Sequence, residues 1–112
     1  MFASGFQIAQ SRPSGTSATS VYTASMRTEV TRITVCNTTG STAKYSVYHD
    51  DDGSTFDQST ALYYAVSLAA NTTVELMTYG PGLYVAKSGQ IAVQTDTGSA
   101  LTFTLYGNTE TR

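Results

Sequence analysis

Short segments in which apolar and polar residues alternate recur along this chain, and they restrict its possible folds more than any other feature. Between positions 28 and 37, Ile33 and Val35 share one parity, while Thr34 and Cys36 share the other. Alternation with a period of two among β-branched residues indicates a half-buried β-strand. Only residues 59–69 could hold a helical turn, because no longer stretch places apolar residues at helical spacing. The pattern therefore predicts an all-β protein.

The same alternation returns between turn residues, and each return predicts another strand. A strand from Ala43 to Tyr48 follows the turn residues 38–41, so the two strands are expected to form a hairpin around residues 37–42. Gly107 is expected to end the last strand. Further strands are predicted at residues 62–66, 72–78, 83–86, 91–95 and 101–106. About eight short strands, with turns every roughly 8–12 residues, predict a single β-sandwich.

The first twenty residues differ from the rest, because Ser, Thr and Gly dominate them and no alternation is present. We expect residues 1–20 to form an extended N-terminal arm and residues 21–112 to form the β-sandwich domain. The arm carries single apolar residues at Phe2, Phe6 and Ile8, which are predicted to anchor it on a neighbour or on the domain's own flank. A chain of 112 residues suits one domain with one core.

Low charge is the main feature of the composition. Charged residues make up 12% of the chain, about half of the roughly 25% that is usual. Ser and Thr take the polar positions, and such a surface suits contact with other proteins. The six basic residues are scattered, so no nucleic-acid partner is expected. No apolar run approaches the roughly 18–20 residues of a membrane span, and the N-terminus lacks the regions of a signal peptide, so no membrane partner and an intracellular origin are expected.

Catalytic residues are poorly represented. A Cys–His or Ser–His site needs a base within hydrogen-bond reach of its nucleophile, and the chain has one histidine, His49, and one cysteine, Cys36. In the predicted hairpin these two side chains point to opposite faces of the sheet. The acids Glu29, Glu75 and Asp96 stand alone, so no pair of carboxylates suited to glycoside hydrolysis is expected. The chain is therefore predicted not to be an enzyme and to need no cofactor.

An acidic loop follows the second predicted strand and is the one place where a metal ion is considered. Asp50, Asp52 and Asp57 are weak candidate ligands, because hard cations such as Ca²⁺ prefer oxygen ligands. The spacing is not that of an EF-hand, and the bidentate glutamate is missing. A solvated loop, in which Asp and Gly favour turns, explains the same residues. We therefore predict no metal site.

Tyrosine is the most abundant aromatic residue, with eight copies, and tryptophan is absent. Tyr45 is predicted to lie in the core. Tyr48 and Tyr106 have outward parity and are predicted interface residues, because exposed tyrosine combines an apolar face with a polar tip. The same property suits a sugar platform, for which Tyr48, Tyr63 or Tyr79 beside the acidic loop are the candidates.

Four segments carry a resemblance to a known family. Residues 31–49 contain an apolar strand, an "Asn-Thr-x-Gly-Ser" turn and a second strand that ends in an aromatic residue. Residues 67–76 are similar to a "Leu-x-Ala-(Gly/Asn)-x-Thr-x-Glu-Leu" segment, and Tyr22–Ala24 and Leu105–Gly107 match further positions. Over residues 20–107 the chain thus resembles small β-sandwich virion structural proteins of tailed bacteriophages. The family's usual "Pro-x-Gly" is replaced by residues 25–27.

The resemblance implies a non-enzymatic virion structural protein that is assembled in the host cytoplasm. It favours a head decoration, or cement, subunit that binds the major capsid protein or another virion structural protein and forms a homo-oligomer, with a trimer favoured. A tail, neck or fibre-associated subunit is the first alternative, and a carbohydrate-binding module is the second. Together with the arm and the outward tyrosines, the resemblance gives these candidate interface residues: Phe2, Phe6, Ile8, Tyr48 and Tyr106.

Overall fold

The structure is a computed structural model that describes residues 6–76 and 82–109. Within these ranges, two antiparallel sheets pack together as a β-sandwich, which confirms the predicted fold class. The strands, in chain order, are β1 (Phe6–Ser11), β2 (Thr19–Thr23), β3 (Thr28–Asn37), β4 (Ala43–Asp50), β5 (Ala61–Leu68), β6 (Thr73–Leu76), β7 (Leu83–Val85), β8 (Gln90–Thr95) and β9 (Leu101–Thr109). A single 3-10 turn, Gln58–Thr60, precedes β5.

The first sheet has the strand order β1-β9-β3-β6, and β7 also pairs with β3. The second sheet has the order β2-β8-β4-β5. None of the helical structure within residues 6–76 and 82–109 has the length and apolarity that a membrane crossing needs.

The core lies between the two sheets and is built from the inward residues of their central strands. Val35 and Phe103 from the first sheet, and Val47 and Val93 from the second, are fully buried. Tyr45 is also part of this core, as predicted, with 4% of its surface exposed. The alternation seen in the sequence therefore identifies the buried faces of β3, β4 and β9 correctly.

The predicted hairpin between β3 and β4 is wrong, because the two strands belong to different sheets. The turn between them crosses the sandwich, and the buried Asn37 side chain holds it there. The Asn37 Nδ2 donates to the backbone oxygens of Ser41 (2.9 Å) and Leu68 (3.0 Å). Its Oδ1 accepts from the backbone N–H (3.0 Å) and the hydroxyl (2.8 Å) of Thr39. A hairpin and a crossing between sheets use the same turn residues, so the local sequence does not distinguish them.

Gly107 does not end the last strand, since β9 continues to Thr109. Gly107 lies opposite Val30 at a register shift between β9 and β3. A Cβ at this position would fall well inside contact distance of the Glu29 carbonyl oxygen. The glycine is therefore required for the close approach of two strands, which is the other common role of glycine in a sheet.

The described part of the predicted arm contributes strands to both sheets, and the boundary predicted after residue 20 falls within β2. Residues 6–11 form β1, which pairs antiparallel with β9 at the edge of the first sheet. Ile8 and Ala9 are half-buried and pack against the core. Farther along, the Pro13 carbonyl accepts a hydrogen bond from the Ser99 N–H (2.8 Å). Phe2 lies outside the described residues.

Candidate functional site

The outer face of the second sheet carries two adjoining depressions that share Tyr64 and Gln94, and we call this surface the outer groove. The first depression has a volume of about 370 Å³, within the range of small-molecule sites, roughly 300–1,000 Å³. The residues that line the two depressions are Thr16, Lys44, Ser46, Tyr48, Phe56, Asp57, Gln58, Ser59, Tyr64, Ala65, Gln94, Thr95 and Asp96.

A bulge in the edge strand β5 lies beside Tyr64 on this face. Val66 lies opposite Tyr45 of β4, and Tyr63 lies opposite Val47, so Tyr64 and Ala65 are both left without a register partner on β4. A bulge of this kind bends the strand and re-aims the side chains within it. Tyr64 points outward by the ordinary alternation after the core-packed Tyr63, and it is 51% exposed.

The bulge is held by a buried hydroxyl. Ala65 has a φ of 52°, in the left-handed region that non-glycine residues seldom adopt. Its N–H donates to the Oγ of Ser46 at 2.9 Å, and Ser46 is itself 5% exposed. The side chain of a central strand thus replaces the backbone partner that the bulge removes, and Tyr64 is displayed from a fixed backbone.

Gln94 is held at both ends of its amide. The Tyr48 hydroxyl donates to the Gln94 Oε1, and the Gln94 Nε2 donates to the Thr16 carbonyl oxygen at 3.0 Å. A glutamine amide has two N–H donors and two acceptor lone pairs. One donor and one acceptor therefore remain for a ligand in the groove, in an orientation that the protein has already set.

The prediction that Tyr48 is an exposed interface residue is wrong. Tyr48 has the outward parity inferred from the sequence, since it alternates with the core residues Tyr45 and Val47, but only 1% of it is exposed. The ring of Phe56, from the loop after β4, lies against it with the ring centroids 6.5 Å apart. Parity reports which face a side chain occupies, whereas it does not report whether a loop covers that face.

The acidic loop uses its carboxylates to order its own backbone. Asp50 accepts from the N–H groups of Asp52 (3.2 Å) and Thr55 (2.9 Å). Asp57 caps the 3-10 turn by accepting from the N–H (2.8 Å) and hydroxyl (2.5 Å) of Ser59. Among the described residues no group of three or more His, Cys, Asp or Glu side chains converges as a metal site would require. Asp50 and Asp57, two of the three weak candidates, thus have structural roles in the loop.

These hydrogen bonds also shift the acidity of the carboxyl groups. The bonds from the Ser59 hydroxyl and N–H lower the pKa of Asp57. A hydrogen bond between the carboxyl groups of Asp50 and Asp52 lowers the pKa of Asp50, helped by the backbone bond from Thr55. The same shared bond and the negative charge of Asp50 raise the pKa of Asp52. Of this pair, Asp52 therefore holds a proton more readily than Asp50.

Two further predicted aromatic residues, Tyr106 and Tyr63, are partly covered by the protein itself. The Arg32 guanidinium lies 4.5 Å from the centroid of the half-buried Tyr106 ring. Tyr63 packs against the core, with its ring centroid 6.3 Å from that of Tyr45. Tyr79 lies outside the described residues. Phe6 is 48% exposed at the start of β1, so it is the one predicted interface residue with a large free apolar surface in the described part of the chain.

Cys36 and His49 are not brought together. Cys36 lies on β3 of the first sheet, while His49 lies on β4 of the second. The His49 Nε2 is 2.6 Å from a carboxylate oxygen of Asp51. The geometry thus gives neither side chain the other as a catalytic partner.

No family model, curated protein or solved structure matches this chain. The outer groove is therefore described by its own residues. Sequence reasoning missed Tyr64 and Gln94, although the adjacent tyrosines 63 and 64 were a signal that one ring of the pair must leave the core face.

Proposed function

We propose that this chain is a non-enzymatic virion structural protein, and specifically a head decoration or cement subunit that binds and stabilises a capsid shell. The resemblance of residues 20–107 to structural proteins of tailed bacteriophages supports the virion assignment. The observation that carries the binding mode is the edge strand β1, which ends the first sheet and displays Phe6.

The β1 edge is suited to strand addition. β1 pairs with β9 on one side, and no described strand pairs with its other side. Its sequence, Phe-Gln-Ile-Ala-Gln-Ser, contains no charged residue and no proline. Natural edge strands commonly carry charges or prolines that prevent pairing. An edge without them can accept an extended segment of a partner through backbone hydrogen bonds.

Phe6 and Ile8 have different roles in this proposal. Ile8 and Ala9 pack against the core and fix β1 on its own domain. Phe6 is 48% exposed and leaves an aromatic anchor free for a pocket of the partner. Aromatic anchors of this kind dominate the binding energy of many interfaces. The partner would be the major capsid protein or another virion structural protein, and a trimer is the favoured oligomer.

Deleting residues 1–15 would be a poor test of the proposed β1 contact, because it would also remove the strand itself and expose the edge of β9. The sharper change is Phe6→Asp, with Tyr84→Asp as the matched control, since Tyr84 is 47% exposed on β7 at the other edge of the same sheet. Purified full-length protein is added to phage particles that were assembled without it, from the phage genome that encodes this chain with its gene deleted. We expect Phe6→Asp to weaken particle binding by at least about tenfold, while Tyr84→Asp binds normally.

Equal binding by wild type and Phe6→Asp would contradict the role of the β1 edge. Imaging of the saturated particles addresses the location. Density at local threefold or sixfold positions of the head supports decoration, whereas axial rings would place the protein in the tail or neck. Failure to bind any part of the particle would refute the virion proposal.

A further inference from the structure

We infer that the outer groove is a binding site for a neutral oligosaccharide, with Tyr64 as the stacking platform and Gln94 as the hydrogen-bonding group. This inference does not rest on the capsid proposal. The groove lies on the second sheet, whereas the proposed capsid contact uses β1 of the first sheet.

The backbone next to the Tyr64 platform is held in a defined conformation. The exposed Tyr64 is followed directly by Ala65, which the bulge holds at a φ of 52°. Left-handed backbone at a non-glycine residue is unfavourable and persists only where the surroundings impose it. Here the imposing contact is the buried Ser46 hydroxyl, which accepts from the Ala65 N–H at 2.9 Å. The structure therefore holds the backbone next to the outward Tyr64 in a fixed and otherwise unfavourable conformation.

The polar group beside the platform is also oriented in advance. Gln94 lines both depressions, as Tyr64 does, and its amide is held by the Tyr48 hydroxyl and by the Thr16 carbonyl oxygen. A donor and an acceptor remain free. Vicinal hydroxyls of a sugar need a donor and an acceptor that lie close together, and a fixed amide supplies both without losing side-chain entropy on binding.

The composition of the groove favours a neutral, hydroxyl-rich ligand. Its charged lining residues are Lys44, Asp57 and Asp96, and the two carboxylates disfavour an anion. One carboxylate oxygen of Asp96 already accepts a hydrogen bond from the backbone N–H of Lys44 at 2.8 Å. The exposed Gln58 adds a further amide. Two depressions that meet at one aromatic ring suit consecutive units of an oligosaccharide, with one sugar ring stacked on Tyr64.

The test uses the isotopically labelled full chain and five probes: maltohexaose, cellohexaose, xylohexaose, mannohexaose and chitohexaose. Each is titrated to millimolar concentration while NMR shifts are recorded. We expect at least one sugar to shift the resonances of Tyr64 and Gln94. A peptide copied from residues 1–12 is titrated in parallel as a protein-like competitor. Shifts at these residues with the peptide and with no sugar would make the groove a protein-docking surface and overturn the inference.

Four variants then test the location of the sugar site. Tyr64→Ala should weaken binding of the active sugar by at least about tenfold, while Tyr64→Phe, which keeps the ring, should stay within about threefold of wild type. Tyr84→Ala is the matched control, since Tyr84 is similarly exposed but lies on the first sheet, and it should bind normally. No shift with any of the five sugars, or equal binding by Tyr64→Ala and wild type, would overturn the inference. Phe6→Asp should leave sugar binding unchanged, which separates this site from the capsid contact.

Discussion

Asn37→Asp should be strongly destabilising, although it changes one side-chain NH₂ group to an oxygen. Asn37 is 1% exposed, and its NH₂ group donates to the backbone oxygens of Ser41 and Leu68. The change removes both donations, each worth about 1 kcal/mol, and turns a carboxylate toward two carbonyl oxygens, at a further cost of about 1–3 kcal/mol. We expect the free energy of unfolding to fall by about 3–5 kcal/mol at pH 7, a large part of the roughly 5–15 kcal/mol of a typical domain.

The effect of Asn37→Asp should depend on pH. A protonated carboxyl can donate one hydrogen bond, so the folded state raises the pKa of the introduced group above its unfolded value of about 3.9. The destabilisation is therefore full above the folded-state pKa and shrinks as the pH falls toward about 4.

Urea unfolding measures this loss, and tyrosine fluorescence can report it because the chain has no tryptophan. Asn71→Asp is the matched control, since Asn71 is exposed and its φ of 57° is a conformation that Asp tolerates. If Asn37→Asp lowers the free energy of unfolding no more than Asn71→Asp does, the role assigned to Asn37 is refuted.

Three further predictions concern the core, the sheet and the acidic loop. Gly107→Ala should lower the free energy of unfolding by at least about 2 kcal/mol, because its Cβ would meet the Glu29 carbonyl oxygen. Gly40→Ala is the control and should change the free energy of unfolding by less than about 0.5 kcal/mol, since nothing lies within 4 Å of its Cβ. Equal urea midpoints for the two variants would contradict this prediction. Phe103→Ala, at a fully buried position, should cost about 3–5 kcal/mol in the same assay. The pKa of Asp57 is lowered in the folded state, so its contribution is present above the unfolded pKa and is lost as the pH falls through the folded value. The stability advantage of wild type over Asp57→Asn should thus be constant above about pH 5 and shrink below about pH 4, and an advantage that grows on acidification would contradict the cap.

The strands themselves could be predicted from sequence because the direction of a side chain in a strand depends on the local backbone alone. Ile33, Val35 and Tyr45 fall on the core face as their parity requires. The end of β9 could not be predicted, since the reason for Gly107 is a neighbouring strand, β3, that lies far away in the sequence. A glycine that permits close approach and a glycine that ends a strand look the same in one dimension.

The candidate site was less accessible than the fold. The backbone beside Tyr64 is fixed by a bulge whose hydrogen-bond partner is Ser46, 19 residues before Ala65 in the chain. Tyr48 owes its burial to Phe56, which belongs to a loop that parity does not describe. The contacts in question, a hydrogen bond to Ser46 and the ring of Phe56, are made on the outer face of the sheet, where the alternation of residues carries no information about cover.

The sequence by itself determined the all-β class, the approximate positions of most strands and the residues that face the core, because these follow from a period of two in the backbone. Tertiary structure alone decided which sheet each strand joins. It separated β3 from β4, placed β1 on β9 as an open edge, and set Tyr64 beside Gln94. The physical reason is that strand pairing and surface cover are interactions between distant segments. A turn such as the one after Asn37 is compatible with either arrangement until the rest of the chain has packed.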